Sequence, residues 1–496
     1  MSILSARSSE RFSIFKHSLL QSDEFPLVEI LDAQRIAAVF QEEQIKFGQA
    51  DEDVFTPAIT LWAMVSQFLF SGTGRSVKAA AGRVVSLWAQ VAGRIVAQNA
   101  GNYCRAKTKI PVTAIGRITR SLAHEAELQM RHFDDLSISL EADQAEDKIC
   151  PAVIASIRSQ PLTGRIINVD GFTIDAPDTP DNQAVYPQNP VQPEGLGFPI
   201  LRCVGLISMI TGMLIDLASA PYTGKGSGET ALLRQLQGSL RRGDILVADS
   251  YYCTYWLIAL CLSLGVELVM KNHHKRDGHP PGAKRLNDSE RTVNWLRPQR
   301  PDWMSKKEYK IIPATVEIRL VDIEVNRPGS RSVGFTLATT MLNNEQYPAA
   351  WLGSLYEGRW IVEPDIESIK CTMGLEHLRS QTPAGIQREL WTGLLTYNLI
   401  RAKMLQSSFT TNREIRSLSF SETYQVLSSN WLLGACVGES QCLAIASLAQ
   451  SAVAIIGNRP GRAEPRENKR RPKILKTMTV PRRVFHAALE VLRQTA

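Results

Sequence analysis

From Gly164 to His273 the chain switches between strand and helix patterns in an order that few folds accept. RIINVDGFTIDA is a β-branched run with Asp170 in its middle. ILRCVGLISMI and GMLIDLASA follow, divided by Thr211-Gly212 as in an antiparallel hairpin. A loop, PYTGKGSGE, leads into the helix pattern TALLRQLQGSLRRG. The short apolar strand DILVADS then ends at Asp249, and a helix, YCTYWLIALCLSLG, and a strand, VELVMKNH, complete the run. Strands taken in this order with helices between them predict an α/β (α+β) domain on one sheet.

Three strands, helix, strand, helix, strand is the element order of a ribonuclease H-like fold, in which the first and fourth strands lie side by side. Asp170 and Asp249 then face one another across adjacent strands. A third acidic position comes from Tyr356 to Lys370, YEGRWIVEPDIESIK. Arg359, Glu363 and Lys370 follow Tyr356 at offsets of 3, 7 and 14. At about 100° per residue on a helix, all four fall within an arc of roughly 60°. Such a face holds a carboxylate for a metal and cations for phosphate oxygens. Taken alone, the stretch reads equally as a solvated helix face with an incidental ion pair. Pro364 directly after Glu363 predicts a kink or a new helix start there.

The 114-position separation of Asp249 and Glu363 exceeds what one crossover needs, so about 274–330 reads as a β-rich insertion. Residues 1–150 read as a helical domain: Pro57 suits a first helical turn, Ser76 suits a cap, and basic turns carry Arg105, Lys107 and Lys109. The catalytic domain is expected over 151–455, with helices from about 371, including an amphipathic GIQRELWTGLLTYNLIRAKMLQ. The remaining 456–496 read as a basic arm and helix. Of a net charge of +7, the segment Arg459 to Lys476 carries +6, so a polyanion contact through Arg470 and Arg471 competes with a merely solubilising arm.

Eight cysteines without a CxxC pair argue against a zinc ribbon or a disulfide framework. No leader-like apolar stretch or membrane-length span is present, and a soluble cytoplasmic protein is expected.

Asp170, Asp249 and Glu363 supply the hard oxygen donors that Mg²⁺ or Mn²⁺ prefers. Two such ions roughly 4 Å apart activate a water or a 3′-hydroxyl and stabilise the leaving oxygen of a phosphodiester. Asp175, Asp178 and Asp181 read as a loop because TPDNQ is turn chemistry. GKGSGET lacks the spacing of a phosphate-binding loop. His273, His274 and His279 have no cysteine nearby and read as part of a cationic surface. Trp295 and Trp303 lie among cations, where an exposed indole stacks on an unpaired base; each also reads as an anchor for the insertion's own core.

The Y-(2)-R-(3)-E-(6)-K spacing resembles the signature of the insertion-sequence-four family of DDE transposases. VDGFTIDAPDTPDNQAVYPQ, GLGFPILR, GKGSGETALLR, GDILVADSYYCT, LLTYNLIR and RPGRAEPRENKRRPK resemble that family too, in the same order, over roughly 100–476. The resemblance implies two magnesium ions on Asp170, Asp249 and Glu363, with Mn²⁺ as a substitute. It implies cut-and-paste movement of a DNA element: nicking at its ends, then attack of the freed 3′-OH on target DNA. Tyr356, Arg359 and Lys370 would grip phosphates at the cleaved end, and Trp295 or Trp303 would receive a flipped base. A homodimer on paired double-stranded ends and a bacterial-type, nucleoid-associated location complete the expectation. The competing readings are a domesticated or inactive DNA-binding descendant, and a nuclease that cuts without joining.

Overall fold

As a computed structural model, the structure describes residues 27, 30–31, 33–49, 53–92, 100–135, 149–158, 164–325, 333–433 and 480–494. Arg470, Arg471 and the rest of the basic arm lie outside the described residues. The N-terminal part is helical: α1 (Ala33–Glu42), α2 (Pro57–Leu69), α3 (Val77–Ala92), α4 (Ala100–Thr108), α5 (Val112–Asp135) and α6 (Ile149–Arg158). Local chemistry starts two of them. The Thr56 hydroxyl accepts from the Ile59 amide at 3.3 Å with Pro57 in the first turn of α2, and Ser76 accepts from Ala79 at 3.1 Å ahead of α3.

The sheet begins with β1 (Ile166–Asp175). A short helix, α7 (Pro180–Val185), follows where TPDNQ suggested a loop. Thr179 caps it, Pro180 takes its first position and Asp181 sits in its first turn, which together are a helix-start signal. Then come β2 (Ile200–Ser208), β3 (Leu214–Pro221), α8 (Glu229–Gln235), β4 (Ile245–Ala248), α9 (Tyr255–Leu264) and β5 (Glu267–Lys271). The β2–β3 turn passes through Gly212 at φ 74°, a left-handed conformation that glycine adopts without strain.

The strand order is β3-β2-β1-β4-β5, with β1 antiparallel to β2 and parallel to β4. That is the expected ribonuclease H-like order. The insertion departs from expectation. Its strands β6 (Lys284–Arg285), β7 (Glu290–Leu296), β8 (Thr315–Val325) and β9 (Val333–Thr339) continue the same sheet, which has nine strands ordered 3-2-1-4-5-9-8-7-6. The strand run therefore extends past 330 to Thr339. β9 pairs along β5, with Val269 opposite Thr339, and so covers what would be an open edge. Between β7 and β8 lies α10 (Lys306–Ile311), started by a capping box of Ser305 and Glu308.

Strand alternation sorts the side chains onto two faces. Ile167, Val169, Leu246 and Ala248 pack on one side with α8 and α9. Phe172, Ile174, Cys203, Ile207 and Val247 pack on the other, in a core shared with the described N-terminal helices. That second face carries the helical segments after β9: α11 (Ala349–Glu357), α12 (Val362–Glu367), α13 (Pro383–Thr411) and α14 (Phe420–Leu433). A last helix, α15 (Arg482–Gln494), is largely exposed. The described helices within 1–150 share a core with α13 and the sheet. Among the described residues, no helix is long and apolar enough to cross a membrane.

α13 was expected to be amphipathic, but it is buried on nearly all sides, polar residues included. Asn398 explains how. Its amide accepts from the Leu214 N–H at 2.9 Å and donates to the Leu214 carbonyl at 2.9 Å and the Thr119 carbonyl at 3.0 Å. The Tyr397 hydroxyl donates to the Gly212 carbonyl at 2.8 Å. Asn398 and Tyr397 thereby tie α13 to the hairpin and to α5. Asn398→Ala leaves buried backbone groups unpaired, so it is expected to lower the unfolding free energy by about 3 kcal/mol. Urea denaturation followed by circular dichroism measures the loss.

Candidate active site

The β1–β4 ladder places the first two carboxylates. Ile166, Ile167 and Asn168 pair with Ile245, Leu246 and Val247. Carrying that register two places further sets Asp170 beside Asp249. By strand alternation both belong to the face of Phe172 and Val247. β4 stops at Ala248, and Asp249 turns out of the ladder to cap the tight turn Ser250–Tyr252, its Oδ1 accepting from the Tyr251 amide at 2.8 Å. Asp170 Oδ1 accepts from the Gly171 amide at 2.8 Å.

Asp170 is electrostatically strained. Burial pushes its carboxyl up to about 6. The Gly171 hydrogen bond and the Arg359 charge oppose that rise, while the charges of Asp249 and Glu229 add to it. Asp170 is therefore harder to charge in the folded chain than in water, chiefly because it is buried.

Glu363 arrives from the same side of the sheet on a helical path that changes pitch around it. α11 tightens into a 3-10 turn at Gly358–Ile361, α12 carries Glu363, and a wide π turn follows at Ser368–Thr372. Pro364 lies in the first turn of α12 and offers no amide to the tight turn before it, where the helical pitch changes. The expected single helical face is thus replaced by a segmented one. Asn168, on β1, donates to the Gly358 carbonyl at 3.2 Å and fastens the tight turn to the strand that bears Asp170.

The signature residues are placed as follows. Tyr356 and Arg359, expected on an open polar face, are only 5% and 7% exposed. The Tyr356 ring packs against Phe335, with centroids 5.3 Å apart. The Arg359 guanidinium lies 4.0 Å from the Trp360 ring centre, with Nη2 3.9 Å from Glu363 Oε1. Burial there follows from α11 and the tight turn lying directly on the sheet core. Lys370 Nζ is 3.7 Å from Glu376 Oε1. Tyr356, Arg359 and Glu363 are therefore together, while the Lys370 ammonium pairs with a separate carboxylate.

Asp365, two residues beyond Glu363, went unremarked in the sequence. It is 1% exposed and accepts from Arg416 Nη1 at 2.7 and 2.9 Å, and from Arg401 as well. Arg416 also donates to the carbonyls of Ser208 and Met209 at 2.7 and 2.9 Å. This buried group joins α12, α13 and the end of β2, which fixes the helix that presents Glu363.

Among the described residues, no three His, Cys, Asp or Glu side chains lie close enough to hold one ion. Glu363 is drawn toward Arg359, while Asp170 and Asp249 act on each other. The donors nevertheless suit a hard divalent cation: they are all carboxylates, and the uncompensated charge on Asp170 is what such an ion offsets. Of the tryptophans, Trp295 packs against the core beside α9, with Arg276 stacked 3.8 Å from its ring centre. Trp303 is 45% exposed, with Arg234 stacked at 3.8 Å and Trp256 edge-on. His273 stacks on His274, and His279 lies 3.3 Å from Asp322, so these histidines do not converge on one another.

Residues 161–399 match the family described as Transposase DDE domain. The chain is 26% identical over 244 residues to transposase InsG for insertion sequence element IS4 of Escherichia coli (strain K12). That match covers 49% of this chain and 52% of the relative, so the chain spans about half the length of the curated relative it matches. Among solved structures, the piggyBac transposase synaptic complex with hairpin DNA is similar over 92% of this chain and 86% of that one, at 10% identity and a TM-score of 0.38.

The charge on Asp170 has a measurable consequence in cation-free protein. Its folded-state value of about 6 lies above the ordinary 3.8, so the stability from its neutral form is complete below about pH 4 and lost as pH rises through 6. Asp170→Asn is expected to melt several degrees above the wild type at about pH 8 in chelator, with the gap closing near pH 4. Thermal melts at the two pH values test this.

Proposed function

From the match of residues 161–399 to the family described as Transposase DDE domain, we propose that this protein cleaves the ends of an insertion sequence and joins the freed 3′-hydroxyl to target DNA. The observation that carries the reading is the parallel pairing of β1 with β4, which brings Asp170 near Asp249 just beyond the end of β4, on the face covered by the helix of Glu363. Asp170, Asp249 and Glu363 would hold divalent metal. When bound, Mg²⁺ or Mn²⁺ supplies the electrostatic stabilisation and nucleophile activation of phosphodiester cleavage.

The chain's own residues position the DNA. In this reading the Arg359 guanidinium leaves Glu363 for a phosphate oxygen of the cleaved end, which frees the carboxylate for its ion. Tyr356 offers its hydroxyl beside Arg359, and Lys370 exchanges Glu376 for phosphate. Trp303 is the better surface for an unpaired base, because its ring is exposed whereas Trp295 packs on the core. Arg470 and Arg471 add a sequence-independent phosphate contact. Two copies act on paired ends, in the cytoplasm on nucleoid DNA.

The test uses purified full-length protein, Mg²⁺ and a plasmid carrying the element's ends. Wild type is expected to nick the ends and join them to target DNA. Asp249→Asn and Glu363→Gln are expected to lose both steps while retaining end binding in a gel shift. Joining that survives in either variant contradicts the reading, and cutting without joining by the wild type makes it a nuclease instead.

A further inference from the structure

Lys370 sits in the wide π turn Ser368–Thr372, and the chain that follows folds straight back onto that turn. The amides of Met373, Leu375 and Glu376 donate to the carbonyls of Ser368, Ile369 and Lys370 at 3.0, 3.3 and 3.0 Å. Gly374 makes the reversal at φ 67°, in the left-handed region. On one side this returning stretch is pinned to β1: the Asp175 amide donates to the Glu376 carbonyl at 2.9 Å, and the Leu378 amide to the Asp175 carbonyl at 3.0 Å. On the other side it meets the turn Gly72–Arg75, between α2 and α3. Arg75 is only 5% exposed, and its Nη1 donates to the carbonyls of Met373, at 3.1 Å, and Gly374. Its Nη2 donates to Glu389 Oε1 on α13 at 3.1 Å. The contact is reciprocal, since Arg379 donates to the Gly72 carbonyl at 3.1 Å. Glu389 also accepts from the amides of Arg379 and Ser380, which closes the clasp.

We propose that Arg75 is a positioning residue for Lys370: it clasps the stretch that shapes the π turn, and so sets where the Lys370 ammonium meets a DNA phosphate without touching DNA itself. This rests on the reading of Lys370 as a phosphate grip. A buried ion pair adds little net stability, because desolvation of both charges offsets their attraction, so Arg75 and Glu389 are poorly accounted for as a stabilising pair. Nor does ending a helical path require a guanidinium, since water satisfies exposed terminal carbonyls as well. What the planar fork of arginine supplies is direction: it holds two carbonyls and a carboxylate of α13 in one fixed arrangement. With the opposite side of the stretch pinned to β1, the strand of Asp170, the clasp fixes Lys370 relative to Asp170. The N-terminal helices thereby take part in a site whose other members all come later in the chain.

The test is binding of a duplex carrying the element's cut end to full-length protein in chelator, by fluorescence anisotropy over a range of salt, with circular dichroism to verify folding. A lysine held on a phosphate contributes about 1 to the slope of log affinity against log salt. Lys370→Ala is expected to lower the slope by that amount. Arg75→Ala is expected to lower it equally although its side chain is buried, and the double variant by no more than either change alone. If Arg75→Ala does not fold, Arg75→Lys takes its place in the same comparison: it keeps a charge beside Glu389 but lacks the fork. An unchanged slope in the folded Arg75 variant, or a fall of about 2 in the double variant, overturns the positioning role and leaves the reading of Lys370 intact. An unchanged slope in Lys370→Ala removes that reading, and the positioning role with it.

Discussion

The parallel pairing of β1 with β4 is the constraint on which this molecule depends. Backbone hydrogen bonds, not side-chain attraction, bring Asp170 level with Asp249. Two partly buried carboxylates held in one another's field oppose folding, and the pairing persists because the strands on both sides are locked into a continuous sheet. The surrounding residues moderate this strain without removing it. The Gly171 amide and Arg359 favour the charged form of Asp170, yet its carboxyl remains well above the ordinary range. Charge left over in a site of this kind is characteristic of function rather than of stability.

The third carboxylate is delivered by a different device. Glu363 rides on a helical path that tightens before it and widens after it, so its direction is set by local pitch more than by helix periodicity. Two anchors hold that path. Asn168 ties the tight turn to β1, and Asp365 is clamped by Arg401 and Arg416 to the end of β2 and to α13. Removing one partner of such a buried group strands a charge in the core, at a cost of about 3–5 kcal/mol. The helix bearing Glu363 is thus rigid at its base. The Glu363 side chain, 42% exposed and only 3.9 Å from Arg359, is the adjustable part.

Much of this was legible in the sequence where the signal is local. The order of β1 to β5 followed from strand and helix periods and from the Thr211-Gly212 turn. Pro57 and Ser76 act as the helix-start chemistry implied. What escaped was through-space. β9 lies beside β5 although some 60 residues separate them, and no period within either strand announces that pairing. α13 looked amphipathic because Thr392, Thr396 and Asn398 are polar, but the two threonines donate back to carbonyls of their own helix and Asn398 to backbone groups of α5 and β3. Tyr356 and Arg359 were placed on an open face by helical arithmetic that the 3-10 turn invalidates.

Divalent cations are expected to sit between the three carboxylates. Anomalous scattering from a crystal of the protein with Mn²⁺ and end DNA locates them directly. The prediction is two peaks roughly 4 Å apart, between the carboxylates of Asp170, Asp249 and Glu363. Peaks elsewhere in the molecule, or DNA seated with its scissile phosphate away from these residues, would contradict it.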